Sequence, residues 1–249
     1  MKIAIIIGAS KGLGATLTSQ LLEQNYTVTG FSRTKPEEAI LSQPTFTYVE
    51  FDASNSLSAA SSFRNALKNL SFEKTSEIHF VYNAAILDPV GSIGTLDEEA
   101  IAAHIQVNLT APLLLANAFL NVTQSLAINN KKMTFVTSGA ATNALPGWAC
   151  YSSTKAGLNR LVQALEKEQK QQEFPFQVCG FNPGIMDTAM QERIRQLDKL
   201  AFPEVERFQA FHREGQLQTT KAVATALLIC LTTSTFPDGQ IVSVNDFTN

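Results

Sequence analysis

The 249-residue sequence predicts a single doubly wound α/β domain, a parallel seven-stranded sheet with helices on both faces. Three observations predict it. Short β-branched or aliphatic runs alternate with longer amphipathic segments, which is the rhythm of βαβ units. Several of these runs are apolar throughout, as strands covered on both faces must be. A glycine-rich turn, Gly8-Ala-Ser-Lys-Gly12-Leu-Gly14, follows the first run directly and opens the first helical pattern.

In chain order, the first strand is expected over 2–7 (KIAIII) and the first helix over 13–24, after the glycine turn. The β-rich stretches TVTGF and TFTYVEF place strands at 27–31 and 45–51, and a helical pattern fills 57–70. IHFVY gives a fourth strand at 78–82, followed by a long helical pattern over 98–129. MTFVT gives a fifth at 133–137, with the next helix over 151–171. QVCGF and IVSV complete the sheet at 177–181 and 241–244, with a helix over 220–232 between them. One segment breaks the rhythm. Between the sixth and seventh strands, 186–218 carries helical patterns and no strand, with Met190, Ile194, Leu197, Leu200, Phe202, Phe208 and Phe211 among its charges. We expect it to be a helical substrate-loop insertion, covering the carboxyl ends of the strands where open α/β sheets bind ligands. No internal repeat, low-complexity tract or linker divides 1–249.

Composition narrows the function. Net charge is −3 with no block of like charges, so nothing points to nucleic acid. Cys150, Cys179 and Cys230 form neither a metal pattern nor an even disulfide set, which favours a reducing, cytoplasmic setting. The apolar run at 3–7 is too short for a signal sequence, and no stretch approaches the roughly 18 apolar residues of a membrane span. The sequons at Asn69, Asn108 and Asn121 carry no weight without a secretory signal. His79, His104 and His212 lack metal-ligand spacing, so no metal is expected, and His79 reads as a satisfied core residue.

The glycine turn fits a dinucleotide. Gly8, Gly12 and Gly14 let the backbone approach a pyrophosphate, and the helix amino terminus beyond Ser10, Lys11 and Leu13 offers free amides to its phosphates. The second strand ends in Gly30-Phe31-Ser32-Arg33-Thr34 without the acid that usually holds an NAD ribose. Arg33 can fork onto a 2′-phosphate and Lys11 can add a second cation, so the expected cofactor is NADP(H).

Tyr151 and Lys155 lie four residues apart, one helical turn on one face, with Ser138 thirteen residues upstream. An ammonium there favours the phenolate, and Ser138 can donate to a substrate carbonyl while Tyr151 delivers the proton. Trp148, Leu145, Met190, Ile86 and Leu87 are the expected walls of an apolar, aromatic-lined substrate pocket suited to flat ketones.

With the glycine turn, Ser138, Tyr151 and Lys155 in this order and spacing, the chain resembles the short-chain dehydrogenase/reductase family over essentially its whole length. The resemblance implies a Rossmann-type fold and places further landmarks. These are Asp52 on the adenine, Asn83 after the fourth strand, and Asn108 organising a water chain to Lys155. Further on come Pro183-Gly184-Ile185 beside the nicotinamide and Thr188 on its carboxamide. It also implies a homodimer or homotetramer paired through the helices at 100–129 and 151–171. Ala85 stands where the family commonly has glycine, so the local backbone should avoid positive φ. Within the family, Pro183-Gly-Ile-Met-Asp-Thr-Ala-Met-Gln191, Gly147-Trp148-Ala-x-Tyr151 and the ending from Phe236 to Asn249 are similar to sepiapterin reductases and the related benzil reductases. The acid that anchors a pterin in the former falls on Ser243 here, with Asp246 three residues later. The expected reaction is therefore reduction of an aromatic or vicinal diketone, with sepiapterin as the alternative and a non-catalytic NADP-binding scaffold as a more remote one.

Overall fold

A computed structural model describes residues 1–248, and for Ser56 and Leu57 the backbone alone. Asn249, the last residue of the benzil-reductase-like ending, lies outside the described residues. The described residues form seven strands: β1 (Lys2–Ile7), β2 (Tyr26–Ser32), β3 (Phe46–Glu50), β4 (Glu77–Tyr82), β5 (Asn130–Val136), β6 (Gln177–Asn182) and β7 (Ile241–Ser243). They form one sheet in the order β3-β2-β1-β4-β5-β6-β7, with every neighbouring pair parallel. The winding reverses at β1. Ile7 is in register with Phe31 of β2 on one side and Tyr82 of β4 on the other, and a crevice opens beyond their carboxyl ends.

Alternation along β1 divides the core. Ile3, Ile5 and Ile7 pack with Phe63 of α3 (Ser56–Lys68), Phe119 of α5 (Ala111–Thr123) and Leu158 of α6 (Ala149–Gln169). Ala4 and Ile6 face the other layer, with Leu17 of α1 (Gly12–Glu23) and Leu227 of α9 (Thr220–Thr232). Each such isoleucine, leucine or phenylalanine side chain, removed from water, contributes roughly 1.5–3 kcal/mol. Both faces are therefore held by the apolar strands that the sequence presents.

Where boundaries differ from expectation, a local cause is visible. β5 begins three residues early because Lys131 and Lys132 are strand residues, both 2% exposed. Lys131 Nζ donates to the carbonyls of Thr123, Gln124, Leu126 and Phe174, and so serves the open end of α5. Lys132 Nζ does the same for Leu231 and Thr233 at the end of α9. The expected helix over 98–129 is α4 (Glu98–Ile105), a π-helical turn at Gln106–Thr110, then α5, which stops at Thr123. This continuous run, Glu98–Thr123, is long and apolar enough to cross a membrane by length and composition, with mean hydropathy 1.3 in its most apolar window. The expectation that no stretch approaches such a span is corrected by it. In the fold its buried side chains, Ala111, Leu115 and Phe119 among them, are part of the core beside the sheet. α2 (Glu38–Leu41) is a single turn too short to announce itself.

The insertion at 186–218 is helical, with α7 (Ala189–Arg195) and α8 (Val205–Arg213). Its ends meet in an isolated bridge, Met186 with Gln218, where Asp187 N donates to Gln218 O at 3.0 Å. Ile194, Phe202, Val205 and Phe208 form a third apolar cluster with Leu87, Trp148 and Tyr151. The insertion therefore packs on the start of α6, above the carboxyl ends of the strands.

Candidate active site

The first part of the site is a cleft of about 430 Å³ above the β1–β4 switch point. Gly8 ends β1 at φ +87°, and a Cβ there would sit 2.8 Å from Ala84 N. A Cβ on Gly14 would meet Gly8 O at 1.8 Å, so only glycine lets α1 start this close to the turn. Asn83 Nδ2 donates to Gly8 O at 2.9 Å and ties the β4 end to the turn. Lys11, at the cap of α1, makes no side-chain cap bond, and the helix amino terminus faces the cleft beside Ser10, Gly12 and Leu13. Exposed Lys11 and Arg33 stand at its edge, with Ser10 and Thr34 hydroxyls 3.2 Å apart between them. Asp52 also lines the cleft, its Oδ1 accepting from Ser54 N at 2.9 Å. This combination of a bare helix amino terminus, two cations and a turn that closes tightly only with glycine at positions 8 and 14 fits the diphosphate of a nicotinamide dinucleotide. Ala85 is not among the described residues of positive φ, as expected.

A second cavity of about 810 Å³ adjoins the first and lies under the insertion. Thr137, Tyr151, Pro183, Met186, Thr188 and Met190 line both. Ser138 faces only the second cavity and Lys155 only the first. Tyr151 thus stands at the junction, with a hydroxyl partner on one side and an ammonium on the other.

Local structure holds these groups in place. Ser138 caps a 3-10 turn, Gly139–Ala141, accepting from Ala140 N at 3.1 Å, and its hydroxyl favours the ionised form of the Tyr151 phenol. Lys155 is 2% exposed; Nζ donates to Val136 O at 2.9 Å and lies 5.7 Å from the Tyr151 ring centre. Burial pulls the lysine down to about 8. Burial also pushes the Tyr151 phenol above its ordinary range, and the Ser138 hydroxyl partly offsets this. The expected lowering of the phenol by Lys155 is therefore not the dominant effect; desolvation is. A neutral phenol is the form that can donate a proton. Asn108 is 1% exposed in the π-helical turn, its Oδ1 accepting from Ile86 N and its Nδ2 donating to Ile86 O.

Trp148, Leu145, Met190 and Leu87 line the second cavity as expected. Trp148 stacks on Phe202 with centroids 4.8 Å apart and meets Tyr151 edge-on at 5.4 Å. Gly184 and Ile185 line the second cavity between Pro183 and Met186, which line both, and Ile185 O accepts from Gln218 N at 2.9 Å. Two expectations, for Ile86 and Asp246, are corrected. Ile86 lines the first cleft, not the substrate cavity, because the chain runs along that cleft from Asn83 to Ile86 and reaches the second cavity only at Leu87. Asp246 lines neither: its Oδ2 accepts from Ser243 N at 2.7 Å and closes a capping box. His79 is only half satisfied; Nε2 meets Glu77 at 2.6 Å, while Nδ1 is buried without a partner. Sequence reasoning did not place Phe208, Phe211, Ile194, Arg207 and Asn143 in the cavity wall. The aromatic spacing within 186–218 marked an apolar helix face, not what that face would cover.

The chain belongs to the short-chain dehydrogenase family, whose model, described as "short chain dehydrogenase", matches residues 2–199, and it is an oxidoreductase of that family. It is 36% identical to benzil reductase ((S)-benzoin forming) of Bacillus subtilis, covering 99% of this chain and 100% of that one. The enzyme of the same name from Bacillus cereus is 32% identical over the same shares. Among solved structures, KRED1-Pglu superposes with a TM-score of 0.83 at 25% identity, covering 97% of this chain and 100% of the other.

Proposed function

We propose that this protein is an NADPH-dependent carbonyl reductase that converts an aromatic or vicinal diketone of the benzil type to the hydroxy ketone. The observation that carries this is Tyr151 at the junction of the two cavities, with Ser138 on the side of the aromatic cavity and Lys155 on the side of the dinucleotide cleft. The cofactor, when bound, supplies the hydride. Ser138 and Tyr151 donate hydrogen bonds to the carbonyl oxygen, where negative charge grows, and Tyr151 gives up its proton there. Lys155 holds the cofactor's ribose and stabilises the phenolate that remains. Trp148, Phe208, Phe211 and Leu145 offer flat apolar surfaces to aryl groups and keep water from the reacting carbon. The 186–218 insertion serves as the cover of this cavity. The likeness to two benzil reductases over the whole chain supports the diketone. The displacement of Asp246 from the cavity removes the acid a pterin would need. Ile105 and Leu113, 41% and 45% exposed, offer apolar surface on α4 and α5 for a dimer contact. Three buried thiols suit a cytoplasmic setting.

The test is loss of reduced-nicotinamide absorbance with benzil and, in parallel, sepiapterin, each with NADPH and NADH. Turnover of benzil with NADPH, and little of sepiapterin, is expected. Preference for sepiapterin overturns the substrate reading, and preference for NADH overturns the cofactor reading.

A further inference from the structure

His104 is a fully buried imidazole on α4 that neither the dinucleotide cleft nor the substrate cavity includes among its walls. It is four residues before Asn108 and shares its helix face. Nδ1 lies 2.8 Å from Asp88 O, and a carbonyl can only accept, so Nδ1 carries the proton. Nε2 is then the acceptor, 2.9 Å from Asn108 Nδ2 and 3.2 Å from Thr154 Oγ1, whose single proton is shared with the Cys150 and Tyr151 carbonyls at 3.0 Å. The orientation of the Asn108 amide is fixed independently, because Ile86 N donates to its Oδ1 and Ile86 O accepts from its Nδ2. One amide proton therefore goes to Ile86 and the other to His104. Burial, aided by the nearby Lys155 charge, holds the imidazole below its ordinary value, although the Asp88 bond opposes this. The neutral ring is what the pattern requires.

What these bonds join is the chain segment between the two cavities. Ile86 lines the dinucleotide cleft and Leu87 the substrate cavity. The Asp88 carboxylate meets Arg193 of α7 at 3.3 Å, so the same segment touches the insertion. On its other side the imidazole lies edge-on to the Tyr151 ring, 6.2 Å between centroids, and Thr154 is one turn beyond Tyr151. We propose that His104 is a positioning residue: it clamps the 86–88 wall and Asn108 to the helix face that carries Tyr151, and thereby fixes the carbonyl against its proton donor. This rests on the reading of Tyr151 as proton donor in a carbonyl reductase.

Three full-length proteins test it: wild type, His104→Leu, which removes the contacts to Asp88, Asn108 and Thr154, and His104→Gln, which keeps an acceptor where Nε2 stands. NADPH titration counts folded sites in each. Amide hydrogen exchange of the 84–89 segment reads the clamp without turnover, and benzil kinetics with the chirality of the hydroxy ketone reads its consequence. In His104→Leu we expect faster exchange at Ile86 and Leu87 and NADPH affinity within about twofold. The turnover number per bound NADPH should be roughly ten- to a hundredfold lower, with less pure product chirality. His104→Gln should recover most of the slow exchange and of the turnover. Unchanged exchange overturns the proposal. So does a leucine variant that loses folded sites but keeps wild-type turnover and chirality per site, which would make His104 purely structural. If wild type leaves benzil untouched while exchange follows the expected order, the substrate reading fails and the clamp stands.

Discussion

Lys155 is costly to the fold at neutral pH, and the cost can be measured. The side chain is 2% exposed, and burial lowers its pKa from an ordinary 10.5 to about 8. Between these values the unfolded chain holds a proton that the native chain has released, so native stability rises with pH across that window. Below pH 8 both states are protonated and the full penalty applies, on the order of 3 kcal/mol at ~1.4 kcal/mol per unit. Between pH 7 and 9.5 the linkage relation returns about 2 kcal/mol of it. Lys155→Met removes the charge and keeps most of the stem. It also strands the Val136 carbonyl, which accepts from Nζ at 2.9 Å, at a cost of about 1 kcal/mol. The variant should therefore be more stable than wild type at pH 7 by about 2 kcal/mol, and close to equal at pH 9.5. Urea denaturation of the cofactor-free proteins at both pH values gives the comparison. Lys131, also lowered to about 8, is common to both and cancels. A difference between the two proteins that does not change with pH would refute the reasoning.

Other outcomes follow from the same geometry. Tyr151→Phe should lower turnover about a hundredfold or more while NADPH affinity, measured by calorimetry, changes little, because the phenyl still fills the junction. Arg33→Asp should weaken NADPH binding at least about tenfold and shift preference toward NADH in parallel assays, since the carboxylate repels a 2′-phosphate. Gly8→Ala puts a Cβ at φ +87°, 2.8 Å from Ala84 N, so thermal denaturation should show a loss of more than about 1 kcal/mol and calorimetry a loss of NADPH affinity. Trp148→Ala should cost roughly 3–5 kcal/mol on denaturation and raise the benzil KM, because the indole supports Phe202 and Phe208 as well as the cavity wall.

What the sequence disclosed and what it hid have separate physical origins. Strands buried on both faces must be apolar, so Ile3–Ile7 and Phe80–Tyr82 announce themselves. The glycine turn is legible because Gly8 and Gly14 have no substitute at their contacts. Lys131 and Lys132 concealed the start of β5, since a buried lysine that serves helix-end carbonyls looks like a surface residue in a sequence. The break at Gln106–Thr110 has no proline or glycine to mark it; the π-helical turn shows in backbone bonds that composition does not encode. Asp246 was misplaced because its partner, Ser243 N, is three residues away and local capping competed with a distant ligand. His104 was passed over because its neighbours, Asp88 and Thr154, come from separate elements that only the fold brings together.

The central claim is that a hydride from NADPH reaches a diketone carbon beside Tyr151. The most direct measurement uses NADPH deuterated at C4 on one face or the other, with benzil as substrate and mass analysis of the product. Benzoin carrying one deuterium on its carbinol carbon from one of the two labelled cofactors, and none from the other, is the expected result. Benzoin without label from either, or label distributed equally between them, would contradict it.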